Sequence, residues 1–184
     1  MKDSPLPLPA NTWLIDGSAF KDPSKQAGYA IVSAQKIIES GPLPPGTTFP
    51  QTELIALIQS LKLVVGIPTN IYTDSKYAFH IIHSHLAIWK ERGYLTSKNS
   101  LIINKTLIFK LLEAAQIPTQ VAVIHYKGHQ SGKDPISMHN KKADKEEKRQ
   151  AQTPTQLLGM PTPVPAYSTL EQTDLAQLGA TLNE

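Results

Sequence analysis

The stretch NIYTDSKYAF, residues 70–79, holds the junction on which the fold turns. An apolar, β-prone run, TNIYTD (69–74), stops at Asp74, and from Ser75 the apolar residues recur at helical spacing. A strand that hands over to a helix within one residue belongs to a sheet flanked by helices. Asp74 itself has two readings. It caps the first helical turn, a common use of Asp at such a junction, or it is a carboxylate delivered to the end of a strand for chemistry.

Upstream, TWLIDGSAF (12–20), AGYAIVSA (27–34) and QKIIES (35–40) read as three strands joined by turn chemistry, an antiparallel meander. Leu54, Leu57, Ile58, Leu61, Val64 and Val65 then recur with helical period, so a helix is expected over about 51–65, ended by Gly66 and Pro68. Downstream of Asp74, SKYAFHIIHSHLAIWKERG (75–93) is helical in pattern, with Gly93 as its stop. SLIINKTLIFKLLEAA (100–115) is a second helix, closed by Pro118. TQVAVIHY (119–126) is a strand, and ISMHNKKADKEEKRQA (136–151) a charged helix. The expected order is βββ, α, β, α, α, β, α, an α/β fold with a mixed five-stranded sheet between helices. Such a fold names no chemistry by itself.

The 184 residues suit one domain with a real core. Eleven of the fifteen prolines lie in the two ends and the loop GPLPPGTTFP (41–50), so 1–12 and 152–184 read as Pro-rich linkers around a domain at 13–151. The net charge is +3. Residues 151–184 hold Glu171, Asp174 and Glu184 and no Lys or Arg, which leaves +6 on the first 150 residues, a balance that suits a polyanion. With no cysteine, disulfides, thiolate zinc sites and cysteine nucleophiles are excluded. No apolar run approaches a membrane span and the first residues lack a signal-peptide pattern, so a non-secreted, intracellular protein is expected.

Three more carboxylates accompany Asp74. Asp16 lies inside a strand, where an ionised, unpaired carboxylate costs several kcal/mol and so calls for a partner or a cation. Glu53 falls in the expected first turn of the long helix, where it either complements the helix dipole or serves a site. Asp144, beside Lys141, Lys142 and Lys145, reads equally as a solvated surface pair.

The ordered set IDGS (15–18), TEL (52–54), YTDSKYAF (72–79), GHQ (128–130) and NKKAD (140–144) resembles the ribonuclease H domain of retroviral Pol polyproteins, of gammaretroviral and endogenous-retrovirus type. The resemblance implies a ribonuclease H-like fold with a basic helix-loop insertion, matched here by HSHLAIWKERGYLTSKNS (83–100). It implies hydrolysis of the RNA strand of RNA–DNA hybrids, with Asp16, Glu53, Asp74 and Asp144 as metal ligands and Asp16 as the bridge. The resemblance implies two ions, and oxygen-only ligands favour Mg²⁺, which Mn²⁺ can replace, over zinc. His129 resembles the family's active-site histidine, although a lone histidine in a Gly-flanked loop is often incidental. Gly17, Ser18, Gln51 and Tyr77 match positions where family members touch the hybrid, Tyr77 reading equally as core. Lys90 and Arg92 belong either to the nucleic-acid-binding insertion or to the solvated face of an ordinary amphipathic helix. His139 stands where the family usually has Gly, a departure in the loop before Asn140. The resemblance further implies a polymerase domain upstream, an integrase downstream, residence in a virion core or cytoplasm, and a monomer in isolation. A decayed or domesticated nucleic-acid-binding module of the same fold is the alternative; a different nuclease or transposase would not explain TEL and GHQ.

Overall fold

In the computed structural model, residues 1–22, 26–91, 103–127 and 135–152 are described. Three strands, β1 (Asn11–Ser18), β2 (Ala27–Val32) and β3 (Ile37–Leu43), form the antiparallel meander; β4 (Thr69–Thr73) and β5 (Val121–His125) add in parallel on the other side of β1. The order is β3-β2-β1-β4-β5, which puts β1 in the middle. β3 runs further than the sequence pattern suggests, through Gly41 and Pro42. Pro42 cannot donate to a ladder, and β3 is an edge strand, where that omission is tolerated.

Strand alternation divides β1 between two layers. Trp13 and Ile15 face the larger core with Ile31, Ile71 and Val123. Helix α1 (Phe49–Leu63) buries Leu54, Leu57, Ile58 and Leu61 into it. α1 starts two residues earlier than the expected start at about Gln51, because Pro50 fits the first turn and the Gln51 side chain accepts the Thr48 N–H at 2.9 Å. Val65, expected within the stripe, lies past the helix and is exposed. On the other face Leu14, Ala30 and Val32 pack with Ala143 of α5 (Pro135–Gln152), which covers β1, β2 and β3.

The single helix expected after Asp74 is three joined pieces: α2 (Lys76–His80), a π-helical turn (Ile81–His85) and α3 (Leu86–Glu91). Within the turn His83 donates from Nε2 to the Val123 carbonyl at 2.9 Å, which ties this run to β5. Trp89 packs inward against the core. α4 (Lys105–Ala114) starts after Asn104, which takes the left-handed φ of 62° that Asn tolerates better than most residues. The N-terminal residues, expected to be linker, reach β5: the Lys2 N–H donates to the Val121 carbonyl at 3.1 Å and the Val123 N–H to the Lys2 carbonyl at 2.9 Å.

One polar cluster fastens α5 to the sheet edge. Ser40 of β3 donates to Glu146 Oε1 at 2.8 Å, and Arg149 and Gln150 donate to the same carboxylate at 2.6 and 2.9 Å. These donors hold Glu146 down to about 2, the Arg149 hydrogen bond first among the causes. Because the folded value lies below the unfolded one, the stabilisation is present above about pH 4.5 and is lost as pH falls toward 2. Glu146→Ala is therefore expected to lower the melting temperature by several degrees at pH 7, about 1–2 kcal/mol. Urea unfolding at pH 7 and pH 3 should show the gap between variant and wild type narrowing in acid.

Candidate active site

Asp16 enters the site because β1 alternates: Ile15 faces the core beneath α1, so Asp16 faces the other way, only 8% exposed. Gly17 follows, and its missing side chain has a local cause. A Cβ there would stand 2.5 Å from Thr52 Oγ1 and 2.7 Å from the Thr52 backbone carbon. The glycine thus admits α1, and it lets the next residue of α1, Glu53, reach around the end of β1. The Gly17 N–H donates to Asp16 Oδ1 at 2.9 Å and to Glu53 Oε1 at 3.3 Å. One backbone donor thus orients two carboxylates. Since α1 begins at Phe49, Glu53 lies beyond the first turn, and the helix-dipole reading of it falls away.

The junction at 74–75 resolves in the same manner. Ser75, not Asp74, is the N-cap of α2, accepting the Ala78 N–H on its side chain at 3.2 Å. Thr73 Oγ1 accepts the Ser75 N–H at 3.1 Å. With capping done by its neighbour, Asp74 carries its carboxylate to Asp16 and Glu53: one oxygen from each of the three lies within 4.8 Å of the others.

Three carboxylates so close repel one another. Asp16 is raised to about 7, by burial first and by the Asp74 charge second, with Gly17 pulling the other way. Among the described residues the Oε2 atom of Glu53 is buried and accepts no hydrogen bond, while Oε1 takes the Gly17 N–H. An oxygen-only set, crowded and partly desolvated, fits a hard divalent cation, and the residues able to hold one are Asp16, Glu53 and Asp74.

Asp144 does not join this group. It pairs with Lys148 one helical turn on, at 2.6 Å, rather than with the lysines adjacent in sequence. It is still near enough for its charge to raise Asp16. Gln51 and Tyr77 are engaged within the fold. Gln51 donates to Asn104 Oδ1 at 3.1 Å, and Asn104 donates to the Tyr77 hydroxyl at 3.3 Å, linking the starts of α1, α2 and α4. Tyr77 also packs against the core. Ser18 is buried at the end of β1. His129 and Arg92 lie outside the described residues, as do residues 92–102 of the basic segment, the side chain of Lys90 and the tail from 153.

Two neighbours of the site escape sequence reading. His125 donates from Nε2 to the Asp74 carbonyl at 3.2 Å. Tyr126, the next residue, has a buried hydroxyl. Both stand at the end of β5, where strand alternation alone gives no sign that β5 ends beside β4's aspartate.

The RNase H family model matches residues 9–152. The Gag-Pol polyprotein of Koala retrovirus is 49% identical over 155 residues, 83% of this chain and 9% of that protein. The Pol polyprotein of Feline endogenous virus ECE1 is 41% identical over 192 aligned residues, 100% of this chain and 18% of that protein. The chain thus spans less than a fifth of either relative. Among solved structures, the PFV RNase H domain in solution superposes with a TM-score of 0.64 at 24% identity, over 76% of this chain and 93% of that one. The foamy viral protease-reverse transcriptase in complex with RNA/DNA hybrid gives 0.68 at 19% identity, over 84% of this chain and 22% of that one. At such identities the likeness speaks for the fold.

The raised Asp16 predicts a stability cost. Between about pH 4 and pH 7 the folded carboxyl keeps a proton that the unfolded chain has released, so stability falls as pH rises through that window. In metal-free buffer, Asp16→Asn should unfold at higher urea than wild type at pH 8, by on the order of a few kcal/mol. The difference should close toward pH 4.

Proposed function

The chain belongs to the ribonuclease H family, and from that premise we propose that it hydrolyses the RNA strand of RNA–DNA hybrids, using divalent cations held by Asp16, Glu53, Asp74 and Asp144. The observation that carries this reading is the convergence of three carboxylates from β1, α1 and β4 within 4.8 Å, at a cost in repulsion that a mere nucleic-acid binder has no use for. When bound, a pair of Mg²⁺ or Mn²⁺ ions supplies an activated water and stabilises the departing oxygen of the phosphodiester.

The chain's own part is to hold and orient. Gly17 N–H aligns Asp16 and Glu53, while Ser75 takes the cap and leaves Asp74 to the site. Asp144 would complete the set, and giving up its pairing with Lys148 would cost little because exposed pairs of this kind are weak. His129 moves a proton or aids product release. Backbone groups of Gly17 and Ser18, with Gln51 and Tyr77, track the hybrid, whose RNA strand is marked by its 2′-hydroxyls. Lys90 and Arg92 contribute phosphate contacts.

The relatives being Gag-Pol and Pol polyproteins supports a place beside a reverse transcriptase, with polymerase upstream and integrase downstream, in a virion core or cytoplasm. Among the described residues no helix is long and apolar enough to cross a membrane.

A labelled RNA–DNA hybrid incubated with Mg²⁺ or Mn²⁺ should be cut, while single-stranded RNA and duplex DNA stay whole. Asp16→Asn should remove cleavage and keep the fold. Hybrid binding without cleavage by the wild type would instead identify a decayed binding module. Replacing Lys90 and Arg92 by Ala should weaken hybrid binding and reduce its salt dependence by roughly one unit of slope per lost phosphate contact, with the rate at saturation little changed.

A further inference from the structure

Away from the acidic site, the run from Phe79 to Trp89 concentrates a second kind of metal-ligating side chain: His80, His83 and His85. Some of the histidines in this region are committed within the fold, His83 to the Val123 carbonyl and His125 to the Asp74 carbonyl. His80 and His85 differ. Both are exposed, and among the described residues neither ring makes a hydrogen bond.

The backbone brings this pair together. Five residues apart on a regular α-helix, they would stand about 140° apart around the axis, on different faces. The π-helical turn Ile81–His85 that follows α2 has wider turns, so residues five apart come to lie nearly above one another. The two ring centres are 6.3 Å apart. Zinc–nitrogen bonds of about 2.0–2.1 Å put the centres of two imidazoles sharing an ion roughly 5–6 Å apart, within a small side-chain rotation of the observed spacing. Aromatic neighbours limit how far the rings turn. Phe79 meets His80 edge-on at 5.6 Å, and Trp89, itself packed against the core, lies 5.0 Å from His85.

The pair differs in chemistry from the carboxylates. Oxygen-only sets suit Mg²⁺, whereas imidazoles suit Zn²⁺, Ni²⁺ and Cu²⁺. Among the described residues no third His, Asp or Glu joins the two histidines, so water fills the remaining positions. We propose that His80 and His85 form a binding site for a transition-metal cation of this imidazole-preferring class, held across the π-helical turn. Such an ion ties the last residue of α2 to the last residue of the turn and braces the joint between α2 and α3.

The test titrates Zn²⁺ into the full chain by calorimetry in a large excess of Mg²⁺, which occupies the carboxylates. Zn²⁺ should still bind, and His80→Ala or His85→Ala should each lower its affinity at least about tenfold, since one of two nitrogen ligands is lost. Both side chains are exposed, so neither variant should move the melting temperature without Zn²⁺ by more than about a degree. In the same Mg²⁺ buffer, saturating Zn²⁺ should raise the wild-type melting temperature and leave both variants unchanged. Electron paramagnetic resonance of bound Cu²⁺ should show two coordinated imidazole nitrogens in the wild type and at most one in each variant. An unchanged Zn²⁺ titration in both variants, or Zn²⁺ binding that Mg²⁺ abolishes, would put the ion on other residues and overturn the proposal. Loss in one variant with the other unaffected would reduce the site to a single histidine and overturn it as well.

Discussion

Everything at this site depends on a carboxylate that is poorly solvated where it stands. Asp16 is buried in the central strand and faces Asp74, so its proton is held to about pH 7 in the absence of a cation. Folding alone would favour an apolar or amide side chain at that position. The arrangement stores an unfavourable interaction that a divalent cation relieves, and the relief favours occupancy of the centre.

The rest of the fold brings that conflict into being and contains it. Parallel pairing of β1 with β4 sets Ile15 opposite Thr73, which brings the ends of both strands, and hence Asp16 and Asp74, to the same place. Gly17 lets α1 lie on β1 closely enough for Glu53 to arrive from the opposite layer. On the remaining side, the Ser40–Glu146 bond holds α5 against the sheet edge and so places Asp144 near, though not within, the cluster. Three carboxylates are thus built into the sheet and its first helix, while Asp144 stands beside them, paired with Lys148.

Much of this was legible in the sequence because its causes are local. The period-2 runs around Leu14 and Ala30 and the 3.6-residue stripe of Leu54, Leu57, Ile58 and Leu61 mark strand and helix by burial pattern alone. The ordered acidic motifs named the family before any coordinate was known. Local rules also misled. Asp74 reads as a cap until Ser75 is seen doing that work, and Glu53 reads as a dipole partner until the helix is found to start at Phe49.

What the sequence by itself determined was the kind and order of elements and the identity of the carboxylates, since both are written in residues close together along the chain. Only the tertiary structure decided which acids meet. Convergence of Asp16, Glu53 and Asp74 depends on the register of β1 against β4 and on a missing Cβ at Gly17, contacts between segments 35 to 58 residues apart. The same holds for Tyr126, whose surroundings read as ordinary until the end of β5 is placed beside the end of β4. Long-range register is set by packing the two faces of the sheet, and no window of local sequence contains it.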